Sequence, residues 1–197
     1  CIRDRNNPRA RTSLGVRPTI TACAIGEACA HTLYEFGEKA AASVSKNIND
    51  DAVERVVEAN TLMSGVGFES GGLALALALA LSFTEITSVH DQYLHGEMVA
   101  MGTMAQLAME KSADARKAAI FFAKVGLPIH LGQLSLSPKN HKELGIVSEA
   151  AAARPIAHNM PMTVTQSSIK KSVLDAHYLG LEIAQIHGDS AYRRLHP

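Results

Sequence analysis

Apolar positions along this chain recur at intervals of three and four, the spacing that gathers them on one face of a helix. From Thr19 to about Ser45, Ile20, Cys23, Ala24 and Ala28 are followed by Leu33, Phe36 and Ala40, which predicts a helical stretch with Gly37 as a candidate break into two helices. Asn49–Asp51 can cap a second helix, because Asn and Asp accept from the free N–H groups of a first turn. Val53, Val56, Val57 and Asn60 would line one side of it. The period returns over 95–111 with Val99, Met101, Met104, Leu107 and Ala108, read as a core stripe in preference to a methionine-lined pocket. Ser112 is placed to cap a helix over 113–125, which Gly126 and Pro128 stop. Residues 126–131 read as an extended link. Pro138 stands at the start of a helix over 139–153. Residues 154–162 read as a loop carrying His158 and an Asn159-Met-Pro turn, and Thr165-Gln-Ser-Ser leads into a last helix, roughly 167–187.

The stretch from Asn60 to Glu97 departs from this regularity. Within it, Leu73–Leu81 alternates strictly between Leu and Ala. Alternation by itself suggests a strand. The double glycine before it and the strong helix formers within it argue for a buried helix instead. Its leucines would contribute up to ~1.5–3 kcal/mol each on burial. The pattern as a whole predicts seven or eight helices, no strand ladder and no fixed repeat: an all-α, multi-helix bundle. Strands do not alternate with helices, so a doubly wound dinucleotide-binding domain is not encoded in these residues. Residues 1–18, with Arg3, Arg5, Arg9, Arg11 and Arg17 interrupted by Pro and Asn, read as an irregular connection, a phosphate-binding arm being the alternative. Residues 19–197 form the helical domain.

Composition sharpens this picture at three points. The 197 residues are long enough to bury a core; with 47% hydrophobic but only 5% aromatic residues and no Trp, that core is mostly Ala, Leu, Val and Ile, which favours close helix-on-helix packing. Lys plus Arg and Asp plus Glu are 19 each, so charge gives no reason to invoke nucleic acid or an anionic membrane as partner. The longest apolar run, Gly71 to Leu81, is about half of a membrane span. Three cysteines, Cys1, Cys23 and Cys29, form no CxxC; they argue against a disulfide framework and for a reducing, cytoplasmic setting. The chain begins with Cys, and is expected to be part of a longer protein.

Candidate chemistry is sparse. Gly65-Val-Gly67 is followed by Ser70 where a dinucleotide fingerprint needs its last Gly, and neither a Walker sequence nor Gly-x-Ser-x-Gly occurs. Gly65, Gly67, Gly71 and Gly72 are better read as serving turns and close helix approach. His95-Gly96-Glu97 opens a helix; the imidazole could offer a nitrogen to a metal while the carboxylate orients or charges the site. His90, in a connecting segment, and His158, His177 and His187 are read as surface or hydrogen-bonded core histidines.

Four blocks say more than the periodicities: VERVVEANTLMSGVGFESGG, LHGEMVAMGTMAQLAME, KVGLPIHLGQL and IAHNMPMTVT. They resemble the C-terminal helical domain of the glycerol dehydrogenases, in the metal-dependent, iron-type alcohol dehydrogenase superfamily. The resemblance implies a two-domain, homo-oligomeric enzyme: an N-terminal α/β domain binding NAD, a helical domain holding a catalytic zinc, and a small polyol such as glycerol oxidised to the hydroxyketone in the cleft between them. It further implies that His95 is a metal ligand and that Phe68 lines the substrate cleft, while assigning no catalytic or cofactor-binding residue here. Two departures follow. The family's ligand Asp falls upstream of the segment matching Cys1. Its first ligand histidine falls eighteen residues before His95, where this chain has Leu77, with Ala80, Leu81 and Ser82 replacing the rest of that motif. Leu and Ala have no lone pair to give a metal. Zinc is therefore expected to bind weakly or not at all, and the chain by itself is expected to be inactive. The alternative is a helical module that has lost catalysis and persists in a structural or interaction role.

Overall fold

Ten α-helices form among the described residues, 7–196 of a computed structural model, and no strand accompanies them. Cys1, Arg3 and Arg5 lie outside those residues. The chain divides into two compact units. One runs to Leu73 and takes in Asn159–Pro161; the other comprises Ala74–His158 and the residues from Met162 onward.

In the first unit, helix α1 (Ile20–Val44) packs on α2 (Asp51–Glu58) and α3 (Ser64–Gly71). Thr19 caps α1, its hydroxyl accepting from the Ala22 N–H at 3.0 Å, and Asp50 caps α2 in the same way from Val53 at 3.1 Å. Gly37 does not break α1: it is buried in mid-helix, and the helix is continuous through it. Of the predicted α2 stripe, Val53 and Val56 are half-buried, whereas Val57 and Asn60 are exposed. One turn of π-helix, Ala59–Met63, joins α2 to α3, so Asp51–Gly71 is a single helical run with one widened turn. Gly67 lets α3 approach α1: a Cβ there would sit 3.8 Å from the backbone of Gly26. Gly72, at φ 80°, ends the run in a conformation that costs other residues more. Asn159 ties this unit together. Its amide accepts from the Arg11 N–H and donates to the carbonyls of Arg11 and Leu73, while Asn7 donates to the carbonyls of Asn159 and Met160.

In the second unit the alternating stretch is helix α4 (Leu75–Phe83), with Leu75, Ala78, Leu79, Ala80 and Phe83 buried. The helix reading of the alternating run therefore holds from Leu75 onward, while Leu73 and Ala74 precede the helix. After it come α5 (Thr87–Gln92), α6 (His95–Met109), α7 (Asp114–Val125), α8 (His141–Ala153), α9 (Gln166–His187) and α10 (Ser190–Leu195). Helix α6 is central, packing against α4, α7 and α9, and its Met98, Met101 and Met104 are buried in the core. Gly102 is the contact with α4: a Cβ there would lie 2.3 Å from the Ala76 carbonyl oxygen. Gln106 accepts from the Ala76 N–H at 2.9 Å, meeting a donor that the start of α4 leaves open. At the other end of α4, Arg154 donates to the Ser82 hydroxyl and the Leu81 carbonyl. Thr165 and Ser168 cap α9 reciprocally, at 2.9 and 3.1 Å.

Several sequence expectations need correction. His90 lies on α5, and 154–162 contains a short 3-10 turn, Pro155–Asn159, in place of a plain loop. A second 3-10 turn, Leu131–Leu134, follows the extended link. The count of seven or eight helices missed α3, whose glycines read as turns, and beyond it α5 and α10. At six residues each, α5 and α10 are too short to display a period. No single helix among the described residues is long and apolar enough to cross a membrane.

Candidate functional site

His95 is the first residue of α6, and its side chain is exposed. The turn that carries it is built by Glu97. That carboxylate points inward, only 7% exposed, and accepts from the Leu94 N–H at 2.8 Å. This satisfies a free donor next to the helix start and places negative charge at the positive end of the helix dipole. The other oxygen of Glu97 lies 2.6 Å from His196 Nε2. Both oxygens of the carboxylate expected to orient a metal are thus engaged within the fold.

Leu77 and Ala80 lie on α4. Leu77 is half-buried and Ala80 has no exposure. Zinc takes nitrogen, sulfur or oxygen donors, and a catalytic zinc uses three of them from protein. Here His95 stands on an exposed turn, and hydrocarbon occupies the position eighteen residues before it. Among the described residues no group of three or more His, Cys, Asp or Glu is arranged to hold a metal ion. The residues present do not fit a zinc site.

Phe68 belongs to the first unit, on α3, and is 44% exposed. It borders an open hollow of about 470 Å³ walled by Leu14, Leu62, Val66 and Phe68, with Thr61 and Glu69 at its polar edge. Thr61 lies within the π turn, which carries it and Leu62 to this wall. Arg11 donates to the Pro8 and Ala10 carbonyls and Arg17 to the Pro8 carbonyl, bracing their own segment.

The remaining histidines and the cysteines have structural settings. His177 is buried on α9, and its Nδ1 accepts from the Leu131 N–H at 3.2 Å. Burial pushes its pKa down. His130, whose ring stands edge-on 6.1 Å from that of His177, is lowered by burial and by the second imidazole. His158 is exposed and meets the Ala152 carbonyl at 2.9 Å, and His187 is exposed at the end of α9. Cys23 is buried. Cys29 is half-buried, its thiol donates to the Ala59 carbonyl, and burial raises its pKa, so neither position favours a reactive thiolate.

Sequence reasoning missed a polar cluster around His196. Tyr192 stacks on it at 4.3 Å and donates to the Gln133 carbonyl, and Tyr93 approaches its ring at 5.9 Å. Burial, then the neighbouring Tyr93 and Glu97, raise the Tyr192 phenol well above its ordinary pKa, so it stays a hydrogen-bond donor. The available signal was Asp189, four residues ahead of Arg193 in a short Tyr-containing segment.

Comparison with known proteins agrees with this helical architecture. No family model matches the chain. A glycerol dehydrogenase from Escherichia coli O6:H1 is 41% identical over 179 residues, covering 89% of this chain and 48% of that protein. A protein named glycolaldehyde reductase from Halobacterium salinarum is 36% identical, covering 86% of this chain and 47% of its own length. The crystal structure of glycerol dehydrogenase from Schizosaccharomyces pombe superposes with a TM-score of 0.84 at 35% identity, covering 95% of this chain and 48% of that one. Fold and similarity together define an all-α chain that corresponds to the C-terminal part of its relatives. The family is glycerol dehydrogenase: the chain matches a C-terminal part of it and spans about half the length of the curated relatives.

Proposed function

We propose that this chain is the helical part of a glycerol dehydrogenase-type protein whose metal chemistry has been lost at Leu77. The observation that carries the proposal is the donor set: an exposed His95 on α6, a leucine at the partner position on α4, and a Glu97 already committed within the fold. By the resemblance, the intact protein would act on a small polyol in the cytoplasm, with NAD supplying a hydride acceptor and zinc a Lewis acid, and His95 would be the ligand this chain contributes. Phe68, beside the hollow on α3, is the residue that would lie against the polyol. Among the described residues no group of three His, Cys, Asp or Glu is placed to hold zinc, which supports a chain that is expected not to turn over by itself.

A second reading, a helical structural or interaction module, is favoured by one feature. Leu14, Leu62, Val66 and Phe68 expose a continuous apolar wall in the first unit. A rate assay tests the first reading. Purified chain given glycerol, NAD and zinc is expected to form no NADH above the protein-free blank. Zinc-dependent NADH formation that a chelator abolishes would overturn the proposal.

A further inference from the structure

Helix α10 is held at more points than a six-residue helix needs for its own formation. Arg193 and Asp189 pair along it at 2.8 Å. On one side it lies against the turn after α7, where Gly126 adopts φ 88° and a Cβ would meet the Ala191 carbonyl oxygen at 2.9 Å and Leu195 Cδ1 at 2.8 Å. On the other side Tyr192 reaches the Gln133 carbonyl, and Tyr192 and His196 stack face to face. His196 Nε2 then meets Glu97 Oε1 at 2.6 Å, while Glu97 Oε2 holds the Leu94 N–H. Tyr93 closes the cluster, its hydroxyl 2.6 Å from that of Ser135, a residue in the left-handed region at φ 54°.

We propose that residues 189–196 form a strap that sets the first turn of α6, and with it the presentation of His95. A carboxylate as buried as Glu97 needs its charge met by donors. Among the described residues two donors meet it, the Leu94 N–H and the His196 ring. Lifting the strap removes one and admits water; the carboxylate then turns outward, the Leu94 N–H loses its acceptor, and the turn frays. Strap and helix start therefore open together, as one local unit whose opening is cheaper than unfolding the core around α4 and α9. The coupling stands whether or not His95 ever holds a metal.

The test compares amide hydrogen exchange in the full chain and three full-length variants: His196→Ala, His196→Gln and, as a control remote in sequence on α9, Ile169→Val. His196→Ala is expected to speed exchange over residues 93–98 by about 10- to 100-fold, the equivalent of one charge-assisted hydrogen bond. His196→Gln keeps a donor and is expected to restore most of the protection, while Ile169→Val leaves 93–98 unchanged relative to the rest of the chain. The His95 ring resonance should move in His196→Ala and return in His196→Gln. Wild-type exchange at 93–98 in His196→Ala, equal acceleration in Ile169→Val, or failure of Gln to restore protection would each overturn the strap.

Discussion

Helices α4 and α6 touch at Gly102 and Ala76, yet the ends that bear on function are built on opposite terms. Helix α4 is almost wholly committed to packing. Leu75, Ala78, Leu79, Ala80 and Phe83 are out of water, and each would cost stability if made polar. The start of α6 is committed to hydrogen bonds, with His95 on the outside and Glu97 folded in. Under the proposed function the two helices share a metal site, and the contrast teaches which half of it is easier to lose. A ligand on α4 must sit among core residues, and hydrocarbon there is compensated by burial. The His95 turn has no such pressure, because its architecture rests on Glu97 and the strap.

The contact between the two helices is where the largest effect is expected. Gly102→Val should separate them, since even a methyl would lie 2.3 Å from the Ala76 oxygen. A loss of about 3 kcal/mol or more is expected in urea unfolding, at the upper end of overpacking costs. A cost below about 1 kcal/mol would show that α4 is free to shift. Ala80→His comes next. Ala80 has no exposure, so an imidazole there should cost about 1–3 kcal/mol. Leu77→His at the half-buried position should cost less than Ala80→His in the same assay, and it should raise zinc affinity by isothermal titration at least about tenfold. Equal cost at both positions would break the distinction drawn between them.

Acid should act through the buried histidines of the core. His177 and His130 have pKa values lowered by burial, so the unfolded chain binds more protons than the folded one as pH falls below about 6.5. Their contribution to stability is present above that pH and is lost below it. The urea midpoint should therefore fall between roughly pH 7 and pH 5, and fall less steeply in His177→Gln, which keeps an acceptor for Leu131 but cannot titrate. A parallel slope in the variant would remove His177 from the explanation. The smallest effect is expected for His95→Ala, which removes an exposed ring and should change stability by no more than about 0.5 kcal/mol.

How legible this was follows from what each residue depends on. The long helices were readable because their periods and caps are local: Thr19, Asp50, Thr165 and Gly126 each act within their own turn. Leu73–Leu81 could be assigned because length, composition and the preceding glycines outweighed alternation. The family could be read from four ordered blocks, and with it the all-α class. What was not readable depends on partners distant in the chain. Asn159 clamps Asn7, Arg11 and Leu73, and His196 meets Glu97 across ninety-nine positions. Gly37 was a candidate break because glycine weakens a helix in isolation, but packing of α1 on α2 and α3 overrides that weakness.

Zinc content tests the loss of metal chemistry most directly. The purified chain, equilibrated with excess zinc at neutral pH and then dialysed against zinc-free buffer, is measured by atomic emission alongside Leu77→His. Well under one zinc per wild-type chain is expected, with more retained by the variant. One zinc per wild-type chain, released when His95 is replaced by alanine, would contradict it.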